Sequence, residues 1–499
     1  MADNRRGVEL SNNINQKIGK ATAWSSITEI MAKLISPIVN MVLARLLVPE
    51  AFGVVATITM VISFAEVFTD AGFQKYLVQH EFKNEDELNK STNVAFWTNL
   101  SISALSCMII FVFRHQIADL VGNPELGNSI SIASILIIIA AFSSIQMARY
   151  KREFDFKTLF FVRIGTSLIP LIVTIPLAFF LRNYWAILIG NFASNLFNAV
   201  ILTVRSKWKP RFYYNWNLFK EMFSFTAWTL LESISIWLTS YIGIFIVGNY
   251  LDDYYLGLYK TSMSTVNSYM SIVTAAITPV VFSALSRYQN NDVEFKKTYY
   301  TFQRLVSVLV IPMSAGIFLY RDLVTQILLG SQWMEASGFV GLWGLMSGFA
   351  IVFSHFSSEV YRSKGQPKIS LLTQLIHLAF LIPVLFVSVK YGFETLYIGR
   401  SLARIQLIIT ALIIMRIYFK FKFSDILKNV LPAILSTIVM GVAGFFLQRI
   451  NSNIIWQITS ILICIVIYFT VLFVCFPKVR KEIMESSYIK KLKRKFLKH

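Results

Sequence analysis

The chain of 499 residues is 55% hydrophobic and 15% charged, with a formal net charge of +20. Soluble domains carry roughly 25% charged residues, so a soluble globular fold is excluded. The basic excess would point to nucleic acid if it formed one patch, but it is scattered between apolar runs along the whole chain.

A bilayer core asks for roughly 20 apolar residues per helix. Runs of that length predict fourteen spans, at 22–46, 50–76, 91–113, 127–148, 158–181, 184–204, 222–248, 255–284, 302–320, 335–361, 369–389, 394–415, 429–447 and 454–476. Residues 1–20 are polar, so no cleavable signal peptide is expected and the first helix serves as the insertion signal. Lys and Arg number 36 in the alternate segments that share a side with the N-terminus, against 5 in the opposite loops. The positive-inside rule then predicts both termini in the cytoplasm, and the net charge reports topology rather than a nucleic-acid partner.

An ionisable side chain at membrane depth costs about 2.5–3.5 kcal/mol on insertion scales, so each one asks for a reason. Span 1 carries Glu29 and Lys33 four residues apart on one face, then Pro37, which removes a backbone donor and kinks the helix. Arg45 near its outer end either reaches the headgroups or faces a cavity. Span 2 carries Glu66 and Asp70, again four apart. A structural ion pair and a role in coupling or substrate binding are both open for these groups. Span 5 holds Arg163, and span 6 offers Asn191 and Asn195, with Asn198 nearby. On span 7, Glu232 has no basic residue within a helical turn. Carboxyls at this depth can carry protons, which makes Glu66, Asp70 and Glu232 coupling candidates. Span 8 carries Lys260. Span 10 carries His355 and Glu359, explained equally by interfacial packing or a proton relay. Span 12 carries Arg400 and Arg404 on one face. Guanidinium is the preferred bidentate partner of phosphate, so these two are expected to line the space between lobes and to bear on a diphosphate. The tail, with Lys490, Lys491, Lys493, Arg494 and Lys495, is expected to lie on anionic lipid heads.

The two halves repeat. Residues 45–53 align with 249–257, both in the outer turn between the first two helices of a half. Leu120-Val121-Gly122 aligns with Leu328-Leu329-Gly330, and 184–190 with 393–399, in the same order and at nearly the same shift. Six helices per half is an even number, so the repeats are parallel, related by an axis along the membrane normal. The expected fold is an all-α integral membrane protein: an N-lobe at 1–205 (spans 1–6), a cytoplasmic linker at 206–221 and a C-lobe at 222–416 (spans 7–12). Spans 13 and 14, at 417–476, lie outside the duplication, and 477–499 form a basic cytoplasmic tail. Two such lobes suit alternating access around a central site.

Neither a phosphate-binding G-x-x-x-x-G-K-[ST] loop nor an H-E-x-x-H motif occurs. Cys107, Cys464 and Cys475 form no disulfide or metal-ligand pattern. No catalysis, cofactor or metal is expected.

Several stretches carry a family resemblance. They are Arg45-Leu46-Leu47-Val48-Pro49-Glu50 with Phe52-Gly53; Phe68-Thr69-Asp70-Ala71-Gly72; Arg152-Glu153-Phe154-Asp155-Phe156-Lys157; the run from Thr278-Pro279 to Ser286-Arg287; and Leu328-Leu329-Gly330-Ser331-Gln332-Trp333. Together, over about residues 20–420, the chain resembles the oligosaccharide flippases of the polysaccharide-export branch of the multidrug/oligosaccharidyl-lipid/polysaccharide exporter superfamily. The resemblance implies a twelve-helix, two-lobed core plus two extra helices in the bacterial cytoplasmic membrane. It also implies passage of a polyprenyl-diphosphate-linked oligosaccharide from the inner to the outer leaflet for surface polysaccharide and lipopolysaccharide synthesis. The cavity cations would hold the diphosphate: Arg400, Arg404, Lys33, Arg45, Arg163 and Lys260. Polar and aromatic side chains, Asn191 and Asn195 among them, would hold the sugars. The partners implied are the lipid-linked substrate, membrane lipid, H+ or Na+ as coupling ion, and the glycosyltransferases and polymerase of the same pathway. Two other classes stay open: a cation-coupled drug antiporter of the same superfamily, and a membrane-embedded polysaccharide polymerase or ligase. The arginine pair argues against the first and the short outer loops against the second.

Overall fold

The computed structural model describes Trp24, Thr28 and residues 31–69 and 72–485, apart from the side chains of 224–229, 232, 276, 279, 367 and 482–485. Among the described residues all regular structure is helical. After a helix over 31–46 come α1 (Pro49–Thr69), α2 (Glu85–Val112), α3 (Pro124–Arg152), α4 (Phe156–Leu181), α5 (Trp185–Arg205), α6 (Trp216–Tyr250) and α7 (Asp253–Arg287). Then follow α8 (Asp292–Leu319), α9 (Ser331–Ser363), α10 (Pro367–Ser388), α11 (Phe393–Ile417), α12 (Phe423–Gln448) and α13 (Ile454–Cys475). Among the described residues twelve helices are long and apolar enough to cross a membrane, and α7, bent by 43° between Ala275 and Val280, makes a thirteenth if it is one span. The first expected span, 22–46, lies partly outside the described residues, and so do Glu29, Asp70 and the tail beyond 485. The chain is a multi-pass membrane protein.

Local chemistry sets the helix starts. Asn84, Asp155, Asn215 and Asn291 each cap a helix, accepting backbone N–H bonds from Glu87, Thr158, Leu218 and Glu294 with their side-chain oxygens. Such caps satisfy donors that the first turn leaves orphaned. They also explain why α2 and α6 begin six residues earlier than hydropathy alone indicates, at Glu85 and Trp216. Two helices are broken from within. A π-helical turn at Pro170–Thr174 interrupts α4, where Pro170 lacks a donor, and a second at Ile351–His355 interrupts α9.

The helices pack as two compact units. One takes in residues up to Thr261 together with Leu385–Phe393; the other takes in Ser262–Val384 and residues from Glu394 onward. In the first unit, α6 lies along α1, where Trp237 donates to Ser63 Oγ at 3.0 Å and meets the Phe64 ring at a tilt, centroids 4.7 Å apart. The short helix Phe73–Gln79 packs into a cluster with Phe96, Trp208 and Met222. In the second unit, α12 and α13 pack on and beside α8. Tyr468 donates to the Val308 carbonyl at 2.8 Å, and Asn429 joins Arg304 and the Tyr300 carbonyl at 2.8 Å each. Lipid is as apolar as leucine, so such interhelical bonds and close packing hold membrane helices together, each bond contributing about 0.6 kcal/mol.

The duplication is visible in the first unit. A Cβ on Gly53 would overlap the Asp253 carbonyl, and a Cβ on Gly257 would overlap the Pro49 carbonyl. These are equivalent positions of the two repeats, and each needs glycine because the other repeat's helix start lies against it. Gly122 and Gly330, also equivalent, both follow a short helix and take left-handed φ values of 80° and 109°.

Candidate functional site

The second unit brings together the strongest of the sequence candidates. Arg400 and Arg404 project from α11 onto one indole, that of Trp343 on α9. The Arg404 guanidinium carbon lies 3.6 Å from the Trp343 ring centroid and that of Arg400 lies 5.3 Å from it. The indole is itself fixed: it is 2% exposed, and its Nε1 donates to Asn267 Oδ1 of α7 at 3.1 Å. Phe339, one turn earlier, meets it edge-on and stacks on Tyr397 of α11. Gly338 makes that approach possible, since a Cβ there would come to 2.5 Å from the Tyr397 hydroxyl. On the neighbouring turn of α11, Gln406 Oε1 pairs with His377 Nδ1 of α10 at 2.9 Å.

The electrostatics of this cluster are incomplete. Arg400 is 7% exposed, yet its Nε meets no acceptor, and no carboxylate pairs with it among the described residues. Cation–π contact contributes about 2 kcal/mol when desolvated. That offsets only part of the cost of burying a charge without a counter-ion, several kcal/mol even after relaxation. Two guanidinium groups thus meet one fixed ring, and the fork geometry of a guanidinium matches phosphate.

Two cavities of the first unit are lined by sequence candidates. One, of about 520 Å³, is lined by Glu66, Ser63, Gln74, Lys75, Trp237 and Tyr241 among others. Trp237 stacks on Tyr241 with centroids 5.4 Å apart, and Lys260 sits over the other ring of that pair, its Nζ 5.4 Å from the Tyr241 centroid. The second, of about 360 Å³, brings Arg163 and Asn195 together with Lys151 and Asn198. Asn191 accepts from Asn195 Nδ2 through its carbonyl at 3.0 Å. Lys33 and Arg45, on the helix over 31–46, line neither cavity, and Arg45 is exposed. Asp70 and the Glu232 side chain lie outside the described residues. His355 pairs with Thr278 at 3.1 Å, whereas Glu359 is 2% exposed and accepts from Arg362 at 3.3 Å. Sequence reasoning passed over Trp343, Asn267, Trp237 and Lys151. The Trp237–Tyr241 spacing of four was a legible signal; Trp343 is joined to Arg400 only by the fold.

Residues 42–338 match the family described as polysaccharide biosynthesis protein. The chain belongs to that family. Among curated relatives, the succinoglycan biosynthesis transport protein ExoT of Rhizobium meliloti (strain 1021) is 25% identical over 63% of this chain, and the match spans 63% of the relative's own length. A putative O-antigen transporter of Shigella flexneri is 26% identical over 75% of this chain and 91% of that one. Among solved structures, the lipid II flippase MurJ in an inward closed conformation superposes with a TM-score of 0.75 at 15% identity, covering 92% of this chain and 99% of that chain. At that identity the likeness shows the fold alone; the family match over residues 42–338 is what bears out the resemblance seen in the sequence. Both curated relatives are named as transporters.

Proposed function

We propose that the protein flips a polyprenyl-diphosphate-linked oligosaccharide from the inner to the outer leaflet of the bacterial cytoplasmic membrane, for surface polysaccharide synthesis. Both termini lie in the cytoplasm, and two lobes, 1–205 and 222–416, alternate access to the substrate. The observation that carries this reading is the buried Arg400 with its unpartnered Nε, set beside Arg404 on one indole face. A drug-cation antiporter would want an anionic lining there; a diphosphate supplies the missing counter-ion.

In this reading Arg400 and Arg404 grip the diphosphate. The Trp237–Tyr241 cavity, with aromatic faces beside hydroxyls and an amide, takes sugar. No nucleotide site supplies energy, so Glu66, Asp70 and Glu232 are the carboxyls through which H+ or Na+ would couple. Glycosyltransferases and a polymerase act before and after the step.

The test is genetic. In a strain lacking its own copy, Arg400→Ala and Arg404→Ala are expected to abolish surface polysaccharide at unchanged protein level, with lipid-linked precursor accumulating inside. Normal export by both variants would refute the assignment.

A further inference from the structure

The 360 Å³ cavity of the first unit has a chemistry that the Arg400 site does not explain. It falls in the usual size range of small-ligand sites, about 300–1,000 Å³. One wall is apolar, with Val162 and Leu202 buried in it. Two cations enter it: Lys151 from the last turn of α3, and Arg163 two turns into α4. Ser194, Asn195 and Asn198 of α5 add neutral polar groups beside them.

No carboxylate lines this cavity among the described residues. Arg163 has no ion-pair partner among them, and Lys151 makes a single long bond, 3.5 Å from Nζ to Gln74 Oε1. A sugar would not call for two positive charges, and a cation would be repelled by them. A phosphate fits both, because guanidinium takes it through a fork and ammonium as a point charge. Depth narrows the source. Arg149, Lys151 and Arg152 fill the last turn of α3, which is headgroup level, and basic pockets between membrane helices on the cytoplasmic side are where lipid headgroups bind.

We propose that this cavity holds the phosphate of a membrane lipid, gripped by Arg163 and Lys151 at a site separate from the Arg400–Arg404 pair. The proposal rests on the function argued above only for the side of the membrane on which the cavity lies; the binding itself requires no transport. The phosphate belongs either to a bulk anionic phospholipid or to a polyprenyl diphosphate, and the same chemistry serves both.

Native mass spectrometry of the purified full-length protein, exchanged into neutral detergent, tests this with three probes: phosphatidylglycerol, a polyprenyl diphosphate and inorganic pyrophosphate. The wild type is expected to retain at least one lipid probe. Loss of two charge-assisted contacts in the Lys151→Gln/Arg163→Gln double variant lowers that retention about tenfold or more. Arg163→Lys keeps the charge and most of the binding. Retention of phosphatidylglycerol alone assigns a structural phospholipid; preference for the polyprenyl diphosphate assigns a waiting substrate. A second measurement uses the unaltered chain: a photoreactive headgroup on the bound lipid is expected to label peptides containing Lys151 or Asn198. Binding of pyrophosphate without lipid, retention unchanged in the double variant, or labelling confined to other helices would overturn the proposal.

Discussion

Among the described residues no carboxylate pairs with Arg400, and those around it hold its position rather than neutralise it. Trp343 supplies a flat face, Asn267 fixes that face, and Gly338 lets α9 approach α11 closely enough for the stack. Substitutions of the ring therefore separate stacking from hydrogen bonding. Trp343→Phe keeps an aromatic face and is expected to retain partial export; Trp343→Leu removes the face and is expected to reduce export about tenfold or more, the size of a desolvated cation–π contact. Equal export by the two variants, at matched protein level, would show that the ring does not position the arginines. The spacing of four between Arg400 and Arg404 was legible in the sequence because helix periodicity puts such residues on one face. Their shared partner was not, since Trp343 lies on another helix and no local pattern links it to them. Arg163 with Asn195 was half legible: both residue types stood out, but Lys151 read only as a topological charge at a helix end.

At the scale of elements, bilayer thickness made the helices legible, and capping residues explain where they outrun hydropathy, as at Asn84 and Asn215. The π-helical turn at Ile351–His355 was illegible, because nothing in its composition departs from a regular apolar helix. The repeated outer turn was legible as weak alignment alone, and the structure gives it a physical cause. Gly53 and Gly257 each face the start of the other repeat's helix with no room for a side chain. Gly53→Val and Gly257→Val are each expected to destabilise the purified protein by about 1–3 kcal/mol, as overpacking does. Gly441→Ala, where nothing lies within 4 Å, serves as the neutral control. Thermal unfolding followed by size-exclusion recovery reads the difference, and a wild-type midpoint for both valine variants would show that the repeats do not meet as described.

At the scale of the whole molecule, the asymmetry of Lys and Arg predicts that both termini face the cytoplasm. Single cysteines at Asn123, Asn183 and Gln332, in a background lacking Cys107, Cys464 and Cys475, are expected to react with an impermeant maleimide from outside the cell. Protection at any two would reverse the topology. Coupling is tested separately in liposomes: Glu66→Gln or Glu232→Gln is expected to flatten the dependence of flipping on an imposed pH gradient, and unchanged dependence in both would remove these carboxyls from the mechanism. The central claim is that the buried Arg400, set beside Arg404 on one indole face, receives the diphosphate of a lipid-linked sugar. Its most direct measurement is flipping of a polyprenyl-diphosphate-linked sugar in proteoliposomes, read by access of an impermeant lectin. The wild type is expected to expose the sugar with time, and Arg400→Ala, correctly folded, to expose it no faster than protein-free vesicles. Flipping by Arg400→Ala at the wild-type rate, or none by the wild type, would contradict the claim.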